Sequence, residues 1–546
     1  MTPVTAVLDD AVAQWPDHAA VDFMGRKISY QELSSLVDQA AKGFQQLGVK
    51  PGVHVGLYLP NTPHYLIAFF GILRAGGTVV NYSPLDAEQV LEHKVDDSET
   101  DILVTLDLSA LYPNIKSLLG KTRLKHLVVG SLGEFSAHPV QVNAKLAQDR
   151  LSVPMGIEPG QLHFAVLLDN AGDYQPYPVA DPADTLAVLQ YTGGTTGLPK
   201  GAMLTHANLS AATSQAALTC TMDGALLKLG CEKVLVVLPL FHIYAMVVDM
   251  LLGIRIGAEL VLCTKFDPGM ALKDVAERGI SCFPGVPTMF TALVNHPDVA
   301  KFDLRSLKVC NSGGAPLPVE LLHRFESLTG CHLTEGWGMT ETSALGTFTP
   351  AIGRSKPGSC GMPSPGIALK FIDVERPGQY VTLGQRGEIV ISGPNVMKGY
   401  WKNPKATQES FTEDGFFRTG DVGYMDDDGF VYIVDRTKDM LLCGGFNVYP
   451  RVIEEAIYAH PQVQEVMVLG IPDAYRGQSP KAYITLKDAT QPLTLEALKE
   501  FLKPRIGKHE MVQAMELRVE LPKTAVGKLS KKMLQDAIAL EAVGKA

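Results

Sequence analysis

Tyr191-Thr-Gly-Gly-Thr-Thr-Gly-Leu-Pro-Lys-Gly201 is the stretch on which the reading of this chain turns. An apolar run at Thr185–Tyr191 reads as a buried strand leading into it, and a helical pattern follows at Ala207–Leu218. Glycine lets the backbone bend so that successive N–H groups converge. Thr192, Thr195 and Thr196 add hydroxyls, and Lys200 adds a mobile positive charge. That combination suits the phosphates of a nucleotide. A lone glycine pair usually marks a flexible surface loop, but three threonines, three glycines before Pro199 and a lysine argue against that simpler account. The loop is not the G-x-x-x-x-G-K-[ST] sequence. Gly120-Lys121-Thr122 imitates its end, but Ile115 stands where the first glycine belongs, which disfavours a P-loop kinase or GTPase.

Outward from the loop, helices alternate with strands. Ser29 and Glu32 form a capping box before Leu33, Val37, Ala40 and Phe44 at helical spacing, and Gly48 ends that helix. Val53–Leu59 reads as a buried strand, Pro63–Ala75 as a helix and Thr78–Asn81 as a strand, which together predict a parallel sheet covered on both faces. Val234–Leu238 and Leu307–Asn311 repeat the pattern before PLFH and SGGAP. From Gly361 to Ile433 the texture changes to short β-type runs with glycine turns, predicting a mostly antiparallel subdomain. The fold class is thus α/β. A large N-terminal domain of stacked α/β subdomains plus a β-rich subdomain spans 1–435, a hinge 436–440, and a small mobile α+β C-terminal domain 441–546. A chain of 546 residues exceeds what a single core sustains.

The net charge of −10 argues against a general nucleic-acid binder, although ten Lys/Arg against six Asp/Glu from Lys499 onward reverse the balance locally. Eight scattered cysteines without a C-x-x-C pair fit a reducing cytosol better than a disulfide framework. The opening residues, with Asp9 and Asp10, lack the order of a signal peptide. The greasy region Ile243–Leu262 is broken by Asp249, Arg255 and Glu259 and reads as core, not as a membrane span. A cytoplasmic protein, monomer or homodimer, is expected.

With EGWGMTET at Glu335–Thr342, SGGAP at Ser312–Pro316, RTGDVG at Arg418–Gly423, VDRTKDMLLCGGFNVYP at Val434–Pro450 and LPKTAVGK at Leu521–Lys528, nearly the whole chain resembles the acyl-adenylate-forming enzymes, in particular the acyl-CoA synthetase branch. The resemblance implies that Thr192, Gly193, Gly194, Thr195, Thr196 and Lys200 hold ATP phosphates, with Thr196 close to the chemistry. It implies that Gly314, Ala315 and Pro316 line the adenine and acyl site, that Trp337 stacks on adenine, and that Gly338, Met339 and Thr340 continue the nucleotide site. Glu341 would meet Mg²⁺, Asp421 both ribose hydroxyls, and Arg436 ribose or phosphate. Lys438 would be the hinge, Gly444 and Gly445 the passage for coenzyme A, and Lys528 the catalytic cation on the acid and the α-phosphate. The chain departs from the family pattern at Trp337 (more often Tyr), Lys531 (often Arg) and Val452 (usually Glu). The run Asp426-Asp427-Asp428 reads as a hydrated surface turn and not as a metal site, and Cys443 as a packing residue.

The implied reaction is an acid–thiol ligation through acyl-AMP, with a small-molecule carboxylic acid, ATP and coenzyme A as substrates. His242 would border the carboxylate, and Ala245, Met246, Val286, Met339 and Ala344 an apolar tunnel. Phe241, Ile243 and Tyr244 offer no acid for an α-ammonium, which argues against an amino-acid substrate. FPGVPTMF at Phe283–Phe290 looks most like fatty-acyl ligases, so medium- or long-chain acids come first. Aryl or dicarboxylic acids, transfer to a carrier protein, and a non-catalytic nucleotide or lipid binder are the alternatives.

Overall fold

The computed structural model describes residues 2–156, 158–192, 199–221, 226–350, 355–376, 378–443, 446–488, 490–491, 493–524 and 527–543. Among them the strands form four sheets. A seven-stranded sheet runs in the order Gln161–His163, His126–Gly130, Thr100–Leu106, His54–Leu57, Thr78–Asn81, Leu186–Thr192 and Lys200–Thr205. All its pairs are parallel except the last. A nine-stranded sheet keeps a parallel centre of Leu333–Trp337, Val309–Gly313, Cys282–Gly285, Lys233–Val236, Glu259–Leu262 and Ala19–Phe23, with antiparallel strands at both edges. His54–Leu57, Thr78–Asn81 and Cys282–Gly285 are buried throughout, as parallel strands covered on both faces must be.

The helices follow from their caps and stripes. The Ser29 hydroxyl accepts the Glu32 N–H at 3.1 Å and starts the helix Tyr30–Gln46, which buries Leu33, Val37, Ala40 and Phe44. Its neighbour Pro63–Arg74 is buried on every side up to Leu73, so it lies inside the molecule and not on its surface. The two approach closely because Gly71 has no side chain: a Cβ there would lie 2.7 Å from that of Ala40.

The antiparallel subdomain is a four-stranded sheet of Ala368–Ile372, Gly387–Ser392, Phe417–Met425 and Val431–Arg436. In its last turn Lys356 Nζ lies 2.6 Å from both Asp426 and Asp428, so these carboxylates are held by a lysine in a surface turn. From Leu441 onward a separate sheet of Leu441–Cys443, Phe446–Val448, Val463–Asp473, Gly477–Leu486 and Ala514–Leu517 encloses its own core, with Cys443 fully buried in it. Its one parallel pair, Gly477–Leu486 with Ala514–Leu517, is joined through the helix Leu495–Leu502.

Two local features differ from the sequence reading. The glycine-threonine loop joins two antiparallel strands, because Lys200–Thr205 folds back on Leu186–Thr192 before the helix His206–Thr221 begins. That strand also exchanges backbone hydrogen bonds with residues 398–399 (Met203 N to Gly399 O, 2.9 Å; Lys398 N to Met203 O, 3.0 Å), a long-range pairing that local periodicity does not announce. The greasy region is buried core as expected, but its first part, Ala245–Leu251, is a π-helix. No helix among the described residues is long and apolar enough to cross a membrane.

Candidate functional site

The site assembles where strands end. Val309–Gly313 runs out into Gly314, whose φ of +75° lies in the left-handed region that glycine tolerates. The Lys528 side chain lies directly across Gly314, so a Cβ built there would collide with its Cε and Nζ. Lys528 arrives on a tight loop: Thr524 N donates to Lys528 O at 2.7 Å, Gly527 N to Thr524 O at 2.8 Å, and Lys528 N to Thr524 Oγ1 at 3.2 Å. That loop docks on the body of the protein through Thr288 Oγ1, which donates to Gly527 O at 2.7 Å, with Val286 beside it. Burial, and next the Arg436 guanidinium, push the Lys528 ammonium down to about 8.

His242 lies close enough to feel Lys528. Burial first and that lysine second hold its pKa at about 3, so the ring is neutral. The Tyr244 N–H donates to Nδ1 at 3.2 Å, which places the proton of the neutral ring on Nε2.

A second group surrounds Asp421, which is 5% exposed. Arg436, its partner across the antiparallel pair, donates from Nε to Oδ1 at 3.1 Å, and Trp337 donates from Nε1 to Oδ2 at 2.7 Å. Trp337 ends the strand Leu333–Trp337 and is seated over Gly346, where a Cβ would lie 2.5 Å from its Cε3. A third group holds Glu341. The Tyr400 hydroxyl donates to its Oε1 at 2.8 Å, and burial raises its pKa. Lys200 Nζ stands 5.0 Å from the Tyr400 ring centroid, so the loop lysine and Glu341 share one tyrosine.

Between these groups the turn of Gly338, Met339, Thr340 and Ala344 carries two consecutive left-handed residues, Ser343 (φ 49°) and Ala344 (φ 73°). Fully buried Asn395 holds it by donating to Thr342 O at 2.7 Å and Leu345 O at 2.8 Å. Gly338 is required because a Cβ there would strike the Ala344 carbonyl.

The structure therefore brings together Lys528, Gly314, His242 and Val286, and separately Trp337, Asp421 and Arg436, and Glu341 with Lys200. Ala315 and Pro316 follow Gly314 at the surface. Thr192 pairs in register with Lys200 at the hairpin. Gly193, Gly194, Thr195 and Thr196 of the loop, and Gly444 and Gly445, lie outside the described residues. Lys438 is exposed between the last strand of the antiparallel sheet and Leu441. Across that segment the Asp435 carboxylate accepts the Arg451 N–H at 2.9 Å in the first turn of the helix Pro450–Tyr458. The Lys531 ammonium meets Glu454 at 3.2 Å, so that departure from the family pattern keeps a charge partner.

Ala245 and Met246 are fully buried in the π-helix wall. A nearby apolar cavity of about 30 Å³ has a different lining, including Cys220, Val248, Leu252, Pro284 and Asn311. Tyr244 is bonded to one of its lining residues: the phenol donates to Asn311 Oδ1 at 2.6 Å, and the ring packs against Gly313. Tyr244, Asn311, Tyr400, Asn395 and Gly346 escaped the sequence reading as site residues. Tyr244 enters that reading only for lacking an acid, the other four belong to no motif, and only the fold brings them to the centre.

The donor set fits a hard cation shared with substrate. Among the described residues no three His, Cys, Asp or Glu side chains cluster as a metal cage, whereas magnesium keeps water and phosphate oxygens and needs few carboxylates, which one Glu341 provides.

Residues 8–401 match the AMP-binding enzyme family and residues 452–528 the AMP-binding enzyme C-terminal domain. A long-chain-fatty-acid–CoA ligase of Bacillus subtilis (strain 168) is 38% identical over 97% of this chain and 93% of its own. A long-chain-fatty-acid–CoA ligase of Escherichia coli O157:H7 is 37% identical over 99% and 94%. The solved structure of ATP-bound MatB from Rhodopseudomonas palustris superposes with a TM-score of 0.83 at 27% identity, covering 98% of this chain and 99% of that one. With its geometry and its motifs in one place, the chain belongs to the family of AMP-binding enzymes.

Proposed function

We propose that this protein is an ATP-dependent, AMP-forming acyl-CoA synthetase acting on medium- or long-chain fatty acids, with Mg²⁺ and coenzyme A. One observation carries the proposal: a lysine 214 residues beyond Gly314 in the chain lies across it, beside neutral His242 and within the field of Arg436. A cation poised there stabilises charge that grows on an α-phosphate as a carboxylate attacks it. In this reading a carboxylate oxygen bonds to the α-phosphorus of ATP, pyrophosphate leaves, and acyl-AMP forms. Lys528 grips the acid and the α-phosphate, His242 Nε2–H faces the carboxylate, Asp421 and Arg436 take the ribose, and the loop at 192–200 holds the departing phosphates. Glu341 would hold the Mg²⁺, whose charge offsets that of the phosphates when it is bound. The 441–546 unit then turns about Lys438, withdrawing Lys528, and the coenzyme A thiol attacks the acyl carbon as AMP leaves.

The apolar cavity beside Asn311 and the π-helix supports an alkyl acid. At about 30 Å³ it is smaller than an alkyl chain, so a chain must widen it by displacing lining side chains such as Val248 and Leu252. The reading includes a cytoplasmic protein acting as monomer or homodimer. Pyrophosphate release and thioester formation, measured over acids of graded length with aryl and dicarboxylic acids included, test it. Preference for saturated chains of eight or more carbons supports it, and acyl-AMP accumulating without thioester, or an aryl optimum, overturns it.

A further inference from the structure

The departure at Trp337 has a structural consequence. A tryptophan at this position exchanges the phenol O–H of the more frequent tyrosine for an indole N–H on the ring edge, and that donor is used: Nε1–H reaches Asp421 Oδ2 at 2.7 Å while Arg436 Nε reaches Oδ1 at 3.1 Å. The carboxylate is nearly enclosed, and its own backbone N–H is tied to Thr419 Oγ1 at 3.1 Å. The indole is fixed in turn. Its benzo ring rests over Gly346, where a Cβ would intrude to 2.5 Å, and Gly346 N donates to Trp337 O at 2.9 Å. Ring plane, donor direction and carboxylate therefore form one rigid unit that joins the nine-stranded sheet to the antiparallel sheet.

We infer that Trp337 is a positioning residue for sugar recognition, its indole N–H holding the Asp421 carboxylate in the orientation that receives a ribose. The inference rests on the assignment of Asp421 to the ribose. An ionised carboxylate offers about four lone-pair sites. Two are taken by Trp337 and Arg436, which leaves one on each oxygen for the sugar hydroxyls without any rotation of the group. The terminal torsion of an aspartate is otherwise broad, so a carboxylate lacking the indole donor must be ordered when nucleotide binds. The stacking face of the ring and its edge donor thus have separable duties: the face serves the base, the edge serves the sugar through Asp421.

The test separates those duties in the full-length protein. Steady-state pyrophosphate release is measured with ATP and with 2′-deoxy-ATP for wild type, W337F, a variant carrying benzothienylalanine at 337 (same shape, sulfur in place of N–H), and D421N. Wild type is expected to prefer ATP. W337F and the benzothienyl variant are expected to lose about ten- to a hundredfold of that preference, the worth of one hydrogen bond to a charged group, mainly through KM for ATP. An equal fall in kcat/KM for both nucleotides, or an unchanged preference in the benzothienyl variant, overturns the inference. If D421N retains the full preference, the assignment of Asp421 to the ribose fails and the inference with it. If D421N erases it while both Trp337 variants keep it, the inference alone fails.

Discussion

The ammonium of Lys528 titrates within the pH range in which the enzyme can be assayed. Burial and the neighbouring Arg436 bring it down to about 8 in the protein without nucleotide. At that value about nine-tenths of the molecules carry the charge at pH 7, about half at pH 8 and about a tenth at pH 9. The sign follows from the role: the cation stabilises the transition state and is lost as pH rises, so activity falls on the alkaline side. Because kcat/KM reports the free enzyme, kcat/KM for ATP in pyrophosphate release should drop about tenfold between pH 7 and pH 9. The kcat profile should break at higher pH, since the bound triphosphate favours the charged lysine. Lys528→Arg, which stays charged throughout, should be slower but lose the break. Removing the second cause with Arg436→Gln should move the break upward. A wild-type kcat/KM that stays flat to pH 9.5, or an identical break in Lys528→Arg, would refute the reasoning.

Lys528→Ala should reduce acyl-AMP formation by about 100- to 1,000-fold, the usual cost of losing one preorganised charge donor. It should leave thioester formation from supplied acyl-AMP within a few-fold, and equal losses in both half-reactions would contradict the assignment. Gly314→Ala places a methyl group where Cε and Nζ of Lys528 lie, at a φ of +75°. A loss of about 100-fold in adenylation is expected, with thermal unfolding showing whether the fold survives, and activity within fivefold of wild type would show that the lysine acts elsewhere. Tyr244→Ala removes the ring between Gly313 and Asn311 and should shift the kcat/KM ratio of a branched or aryl acid to dodecanoate upward by about tenfold. An unchanged ratio would place acid selection away from this residue.

Much of the architecture was legible because it rests on local signals. The Ser29 cap, the strand Thr78–Asn81 and the strand Gly387–Ser392 each stand within a residue or two of where spacing and turn residues put them. The strand Lys200–Thr205 was not legible, since its partners are residues 186–192 and 398–399 and its own sequence has no clear alternation. The same physics divides the site. Lys528, Glu341, Asp421 and Trp337 sit in ordered motifs that resemble those of a known family, and it is that resemblance, not their residue types, that singled them out. Tyr400, Asn395 and Tyr244 act through hydrogen bonds to Glu341, to the strained turn at 343–344 and to Asn311, contacts made between segments far apart in the chain. The acid pocket was least legible because any large apolar residue fits a core, and only packing decides which of them face an empty space.

The most direct test of the central claim follows an oxygen atom. Dodecanoate labelled with ¹⁸O in its carboxylate is incubated with the enzyme, MgATP and coenzyme A, and the products are resolved by mass spectrometry. Adenylation requires one labelled oxygen in AMP for each dodecanoyl-CoA formed, with unlabelled pyrophosphate. Label in orthophosphate together with ADP, or thioester formed without label in AMP, would contradict it.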